Sequence, residues 1–496
     1  MYPMARLLIL ICLSLLTAQS GAQTMVMNER CALAVDHLLN LDRDSAMILI
    51  RKEEAENPAN AMVHYLYNLS DFLTTVVTED EDYFNEHEEQ RNARIKAISK
   101  VPSDNPYRKF ALAEVNLQWA FSRLRFKEYF KAAIEINRAF HLLEENIVAH
   151  PDFLPNKKGI GLLHALIGTV PDQYRWATNL MGVNGTVSGG LSELRQAVQE
   201  SHNHPKYAFL EKESLFLYSF IVLNLTSDKS ELNAVAGPLD RLAMQSPLIA
   251  FAKASVLAEN GKTLDAISLL EECGYEKRNL RFHYLDHLLG SYQLYSMNRK
   301  CERALSRYAS NFKGKSYLKA NQLMLAYHRL IFFNSEEMYQ SKLAEIVGIG
   351  STMLDEDKQA QKAFEKGDVP NLDLLKSRLQ FDGGFLEEAL STLKNADQKS
   401  FSVKDKLELD YRTGRVYHKM KDHSKAISFY KKTVNHHSVT GTYFPANASL
   451  KLGEIFEHQN DQSEALKWYV ASMEYDDHEY ENSIAQKAKA GISRLD

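Results

Sequence analysis

The sequence predicts an all-α fold, a right-handed α-solenoid built from helical hairpins. Three observations predict it. Glycine and proline are scarce, with 22 and 12 residues in 496, about 7% where an ordinary soluble chain has about 12%. Hydrophobic residues at 45% and charged residues at 25% are values of a folded chain with a large core. The C-terminal third also aligns with itself at a nearly constant period, as stacked helical units do.

The first 22 residues have the features of a secretory signal peptide. Arg6 precedes an apolar run over residues 7–16, and small residues follow at Ser20 and Ala22. The run is about half the roughly 20 residues that a bilayer-spanning helix needs. We therefore expect cleavage after Ala22, export to the periplasm or out of the cell, and no transmembrane segment in the mature chain.

Residues 23–150 show a degenerate helical period. Apolar residues recur every three or four positions between Tyr107 and Asn146, which predicts two long helices. Ala46, Ile50 and Pro58 match the second helix of a hairpin and the proline that ends it. We expect N-terminal helical repeats over this segment.

The period fails between Pro151 and Gly190, where seven glycines occur in forty residues. No P-loop or dinucleotide-binding glycine pattern is present, so the glycines do not indicate a nucleotide site. We expect residues 151–200 to form an irregular Gly-rich insert, packed on the solenoid, whose glycines let backbones approach or reverse direction.

The clearest repeats lie in residues 201–496. Gly414, Tyr417, Ala426 and Tyr430 have the spacing Gly-x2-Tyr-x8-Ala-x3-aromatic. The small residues mark where two antiparallel helices touch, and the aromatic residue fills the space toward the next hairpin. The other copies contain Ala254, Leu257, Gly261, Ala266, Leu270 and Cys273; Gly384, Ala389, Leu393 and Ala396; and Leu452, Gly453, Phe456, Ala465 and Tyr469. These are tetratricopeptide-type repeats, and we expect a capping helix from about residue 480 to 495.

The order of these features resembles a known family. It consists of a Pro- and Gly-punctuated apolar segment, then a Phe-Lys-Gly-Lys sequence, then repeats with Leu-Gly and Glu-Ala pairs. The residues are Leu154, Pro155, Gly159, Gly161, Pro171, Gly182, Gly185, Gly190, Leu191, Phe312 to Lys315, Tyr443, Pro445, Leu452, Gly453, Glu464 and Ala465. The chain is similar here to the tetratricopeptide family that includes the fungal inclusion-body-clearance outer-membrane protein and its animal relatives. The resemblance implies an all-helical, non-enzymatic adaptor, and no functional residue is transferred from it.

The sequence contains no motif that indicates catalysis, a cofactor or a metal. His87 and Glu88 begin a zinc-protease pattern, but Arg91 stands where its second histidine is needed. Neither a GxSxG elbow nor a CxxC pair occurs. A formal charge of −5 also gives no bulk attraction for nucleic acid. We expect no enzyme, no cofactor and no nucleic-acid partner.

Three cysteines follow the signal peptide, Cys31, Cys273 and Cys301. An odd number allows at most one intramolecular pair. We expect buried thiols, and a disulfide between Cys273 and Cys301 is the alternative.

Cations recur on the first helices of the C-terminal repeats. Arg378 and Arg415 occupy equivalent repeat positions, and further polar residues are expected beside them on the concave surface. The full set is Arg378, Tyr411, Arg412, Arg415, Lys419 and Lys451. Such a surface can bind carboxylates of an extended or acidic segment, with arginine binding in a bidentate manner.

These features predict an exported, non-enzymatic scaffold that binds a protein or peptide partner, of acidic character, on its concave surface. The alternative is a glycan- or nutrient-capture accessory of the cell envelope, with exposed aromatics such as Trp176 or Trp468 as the contact residues. The partner's identity and the oligomeric state are left open.

Overall fold

The computed structural model describes residues 23–170, 182–226, 228–275, 278–436 and 441–495. Within these ranges every regular element is a helix, which confirms the all-α class, and one isolated bridge joins Thr24 to Asn60. The predicted signal peptide at residues 1–22 lies outside the described residues. No described helix has the length and apolar character that spanning a bilayer requires.

The helices follow one another through short connections. Their bounds are α1 Glu29–Leu39, α2 Arg43–Glu56, α3 Met62–Thr78, α4 Glu81–Ile98, α5 Pro106–Arg125, α6 Tyr129–Ala149, α7 Pro155–Ile167, α8 Val187–Asn203, α9 Glu211–Leu225, α10 Lys229–Leu242, α11 Pro247–Glu259, α12 Thr263–Glu272, α13 Tyr284–Tyr295, α14 Cys301–Asn311, α15 Leu318–Phe333, α16 Glu336–Ala344, α17 Asp355–Lys366, α18 Leu372–Asp382, α19 Leu386–Asn395, α20 Val403–Lys419, α21 His423–Val434, α22 Phe444–His458, α23 Gln462–Ser472 and α24 Glu481–Leu495. Short 3-10 helices precede α9 and α20.

The chain divides into two compact units. Unit 1 comprises residues 1–256, 268–285 and 311–314, and unit 2 comprises residues 257–267, 286–310 and 315–496. The segment limits expected at residues 150 and 200 both fall inside unit 1. In unit 1, the first hairpin packs against α9, where the Lys212 ammonium binds the Asp36 carboxylate at 2.6 Å.

Seven turns in the described part of the chain share one backbone geometry. Each contains a left-handed residue, and the next residue donates its N–H to the carbonyl five positions earlier at 2.8–2.9 Å. This is the Schellman arrangement that ends a helix with its last carbonyls satisfied. The left-handed residues are Leu41, Lys127, Gly261, Met297, Gly384, Lys421 and Asn460.

The same turns fix a common side-chain register. A small buried residue stands seven positions before the left-handed residue: Ala34, Ala120, Ala254, Gly290, Ser377, Gly414 and Gly453. A buried alanine stands five positions after it in six hairpins: Ala46, Ala132, Ala266, Ala389, Ala426 and Ala465. In the α13–α14 hairpin the second helix begins two residues later, and Ala304 takes this place. Hairpins in both units are therefore built on the tetratricopeptide register.

Close approach between helices explains the small residues. A Cβ atom on Gly414 would lie 2.7 Å from the ring of Tyr430, and one on Gly453 would lie 2.6 Å from the ring of Tyr469. The expectation that these rings face only the next hairpin is wrong, because each packs on the glycine of its own hairpin. The ring of Tyr469 also reaches the next element, since a Cβ on Gly491 of α24 would meet it at 2.5 Å.

The Gly-rich segment is not the irregular insert that we expected. Its described residues form α7 and α8, which pack against each other. A Cβ atom on Gly190 would collide with the carbonyl oxygen of Gly161, so the glycines allow two helices to touch through their backbones. Residues 171–181, which include the expected turn residue Pro171, lie outside the described residues.

Unit 2 places the first helices of its hairpins side by side. α15 packs on α18, α18 on α20, and α20 on α22, which is the stacking expected of a solenoid. The predicted capping helix is confirmed as α24, which packs on α22 and α23. All three described cysteines are free thiols, so the disulfide alternative does not hold in this structure.

Candidate functional site

The row of first helices in unit 2 carries a face on which guanidinium groups lie against aromatic rings. We call it the basic-aromatic face. It consists of Tyr295 of α13, Tyr327 of α15, Arg378, Phe381 and Asp382 of α18, and Arg415 of α20.

Arg378 is half-buried, and its guanidinium carbon lies 5.1 Å from the ring centroid of Tyr327. Burial opposes the positive charge, but Tyr327 and the carboxylates of Asp382 and Glu408 raise the pKa of Arg378 above its ordinary value. The ring thus supports the guanidinium from beneath by a cation–π contact, and Arg378 keeps its charge.

Arg415 is held in the same way. Its guanidinium carbon lies 4.2 Å from the ring centroid of Phe381 and 5.9 Å from that of Tyr411. Among the ion pairs of the described residues, none includes Arg378 or Arg415. A guanidinium stacked by its flat side keeps its in-plane N–H donors for another acceptor. Both arginines are therefore ready to bind an anion.

Asp382 lies beside these two cations. Its side chain is exposed to solvent, yet burial by the surrounding protein raises its pKa, against the lowering effect of Arg378, Arg415 and Arg412. A group that water reaches while protein surrounds it lies in a recess. Burial also raises the pKa of Tyr295, and the charge of Asp382 adds to this effect. Asp382 and Tyr295 therefore line the same recess as Arg378.

Four other residues expected on this surface have different surroundings. Tyr411 is only 1% exposed, and its hydroxyl accepts a bond from the Asn447 side chain at 2.9 Å. Arg412 is buried and paired with Glu408. The expectation that Tyr411 and Arg412 are available to a partner is therefore wrong. Lys451 is paired with Glu454 at 2.7 Å, and Lys419 is exposed at the end of α20.

The sequence analysis did not identify the aromatic supports. Phe381 and Asp382 follow Arg378 by three and four positions, and residues at these spacings share a helix face. That spacing could have placed them beside Arg378. Tyr295 and Tyr327 lie on other hairpins, and no spacing within one repeat indicates them.

A polar cleft of about 620 Å³ lies at the C-terminal end of unit 2. Its lining includes His418, Glu457, His458 and Arg494. Glu457 is occupied by two hydrogen bonds from Arg494, at 2.7 and 2.8 Å. Burial lowers the pKa of His418 to about 4, which keeps its imidazole neutral. In the described part of the chain, His, Cys, Asp and Glu side chains do not assemble in threes as metal ligands.

Unit 1 contains a buried ionic triad that the sequence did not reveal. The Lys158 ammonium, 1% exposed, lies 2.7 Å from a Glu114 carboxylate oxygen and 2.6 Å from one of Glu213. It also lies 5.8 Å from the ring centroid of Phe110. Burial raises the pKa of Glu114 to about 7, and the Lys158 charge lowers it less. The triad is enclosed, which makes it part of the core of unit 1.

We expect the stability of the protein to depend on the ionisation of Glu114. Because the folded pKa is about 7 and the unfolded pKa is about 4.3, the folded chain binds the additional proton between these values. The chain should therefore lose stability relative to a Glu114→Gln variant as pH rises through this range, by on the order of 3 kcal/mol in total.

Urea unfolding of both proteins at several pH values measures this difference. Since the glutamine of the variant does not titrate, the contributions of other groups cancel in the comparison. A difference that is constant between about pH 5 and about pH 8 would contradict the assignment.

The fold and the face together define a helical-repeat protein of tetratricopeptide type with a binding surface on its first helices. Neither a protein-family model nor a curated protein matches the chain. A monomeric mutant of IFIT1 with Gppp-AAAA is 11% identical, covering 95% of this chain and 89% of that chain, with a TM-score of 0.28. The Cut9-Hcn1 hetero-tetramer of the APC/C is 12% identical, covering 95% and 97%, with a TM-score of 0.24. At these TM-scores neither likeness supports an inference about this chain.

Proposed function

We propose that this protein is a non-enzymatic scaffold that binds an extended, carboxylate-bearing polypeptide segment on the basic-aromatic face of unit 2. The observation that carries the proposal is the pair Arg378 and Arg415. Both guanidiniums are supported by rings, accessible to solvent and outside every ion pair of the described residues.

Preorganisation gives this pair its value for binding. A free arginine side chain loses rotamer freedom when it binds a ligand, and that loss costs about 0.5–1.5 kcal/mol per side chain. Stacking on Tyr327 and Phe381 restricts the two guanidiniums in advance. Each can then donate two parallel hydrogen bonds to one carboxylate.

The local charge favours carboxylates over polyphosphate. Asp382 beside Arg378 and Arg415 reduces the net charge of the three groups to a single positive charge. The chain as a whole carries −5, whereas nucleic-acid-binding proteins concentrate many cations on one face. A peptide with separated Asp or Glu side chains fits this arrangement better.

We further propose that the scaffold is exported to the periplasm or secreted, and the composition of residues 1–22 is what supports this. The resemblance to the inclusion-body-clearance family stays a prediction from the sequence. The glycan alternative has no support at Trp468, because the ammonium groups of Lys431 and Lys467 lie 6.0 and 5.3 Å from its ring centroid. Trp176 lies outside the described residues.

Charge reversal at both arginines tests the proposal. We expect Arg378→Glu combined with Arg415→Glu to weaken binding of acidic peptides at least about 100-fold, because two charge-assisted contacts are replaced by repulsion. The probes are fluorescent decapeptides with Asp or Glu at alternate positions, compared with their Asn and Gln counterparts, and anisotropy reports the dissociation constant.

A control with the same change in charge is Lys404→Glu combined with Lys406→Glu, at the exposed start of α20. It should leave peptide binding within about threefold, since the surface charge there is screened. Thermal melting should show that all variants stay folded. Undiminished binding by the double arginine variant would refute the proposed surface.

A further inference from the structure

The connection between α23 and α24 contains an acidic, tyrosine-bearing sequence. Residues 475–480 read Tyr-Asp-Asp-His-Glu-Tyr, and we call them the acidic connector. Its side chains provide three carboxylates and two phenols. This composition complements a face of guanidiniums and aromatic rings.

The acidic connector is attached to a helix more than a hundred residues earlier in unit 2. The Lys366 ammonium of α17 lies 2.8 Å from a Glu479 carboxylate oxygen. The Gln359 side chain of α17 donates a hydrogen bond to the Tyr480 hydroxyl. The connector therefore extends between α17 and the last hairpin.

Tyr480 brings the connector to the edge of the basic-aromatic face. Its ring lies 5.1 Å from that of Tyr443, and the Tyr443 ring lies 5.8 Å from that of Tyr411, on which Arg415 rests. Burial raises the pKa of the Tyr480 phenol to about 12, and the positive charge of Arg378 acts in the opposite direction. The phenol is thus within the electrostatic reach of Arg378.

The connector is held in a strained conformation by weak contacts. Asp477 and Tyr480 have φ values of +56° and +68°, and the left-handed region is unfavourable for a non-glycine residue. The contacts to α17 are exposed, and exposed ion pairs contribute little to stability. A competing ligand therefore needs little free energy to displace the connector.

We propose that the acidic connector is a built-in competitor at the Arg378 end of the basic-aromatic face, and that the partner segment which displaces it has the same chemistry, carboxylates next to an aromatic residue. This inference rests on the proposed function, because it assumes that the face binds a peptide. It goes further in naming the kind of peptide and the segment that regulates its access.

Releasing the connector without changing the face tests the inference. The variant Gln359→Ala with Lys366→Ala removes both contacts from α17, and Lys362→Ala on the same helix is the control for a lost charge. The probe is a fluorescent peptide with the sequence of residues 474–481. We expect the release variant to bind it at least about fivefold more tightly than the unmodified chain, because a larger fraction of molecules has an open face.

Hydrogen exchange of the connector supplies a second measurement. Saturating peptide should accelerate exchange of the backbone amides of residues 475–480 in the unmodified chain. If the peptide binds both proteins equally and exchange is unchanged, the connector does not compete and the inference is overturned while the proposed function stands. If neither protein binds this peptide but the alternating acidic decapeptides bind, only the inference fails. If no acidic peptide binds either protein, both fail.

Discussion

Replacing Lys158 with methionine is expected to cost about 3–5 kcal/mol of folding free energy, because it leaves two carboxylates without their buried partner. The ammonium group is 1% exposed and is the cation that Glu114 and Glu213 share. One oxygen of Glu114 already lacks a hydrogen-bond partner. Loss of the lysine charge therefore removes the interaction that offsets the burial of Glu114, which is only 3% exposed.

The measurement should report on unit 1 itself. Hydrogen exchange of α5 and α7 gives the local free energy of opening, and urea unfolding gives the global value. Lys157→Met, at the half-buried neighbouring position, should cost less than about 1 kcal/mol. Adding Glu114→Gln to Lys158→Met should recover part of the loss, since one uncompensated charge disappears. Equal stability of Lys157→Met and Lys158→Met would contradict the role of the triad.

The repeats that the sequence reveals are those with glycine and tyrosine at the touching positions. Gly414 with Tyr430 and Gly453 with Tyr469 have a recognisable pattern because a large ring needs a residue without a side chain opposite it. Ala120 serves the same purpose in the α5–α6 hairpin, but alanine is common in any helix. That hairpin is therefore visible as periodicity and not as a repeat.

Turn chemistry conceals other repeats. Leu41, Lys127 and Met297 adopt the left-handed conformation that glycine usually takes at a helix end, so no turn signal marks those positions. The two additional residues before Cys301 also shift the register of α14. Backbone geometry is retained at these turns while residue identity is not, and a search by residue identity cannot detect them.

The site is predictable to the extent that it follows repeat position. Arg378 and Arg415 can be found because equivalent positions face the same side of successive hairpins. The expectation for Tyr411 and Arg412 is wrong because their surroundings depend on other side chains, Asn447 for Tyr411 and Glu408 for Arg412. Sequence spacing gives the direction of a side chain, and packing decides whether solvent reaches it.

Replacing Tyr469 with alanine is expected to destabilise the last hairpin of unit 2 by about 3–5 kcal/mol, the usual cost of deleting a buried aromatic side chain. The side chain is fully buried, and its hydroxyl donates a hydrogen bond to Glu457. Its ring lies against Gly453 of α22 and Gly491 of the capping helix. Removing it leaves a cavity shared by α22, α23 and α24, which hydrogen exchange of these helices would report. Tyr129→Ala, at a tyrosine that is 58% exposed, should cost below about 1 kcal/mol.

A second substitution at Gly453 shows whether the ring is the reason for the glycine. Gly453→Ala alone should destabilise the protein by about 1–3 kcal/mol, because the new methyl group would lie 2.6 Å from the Tyr469 ring. In the Tyr469→Ala background the same substitution meets no ring, and alanine is favoured over glycine within a helix by about 1 kcal/mol. The effect of Gly453→Ala should therefore change sign between the two backgrounds, a coupling that a double-mutant cycle measures directly. Additive effects would mean that the glycine is needed for another reason, and the packing rule that defines these hairpins would lose its physical basis.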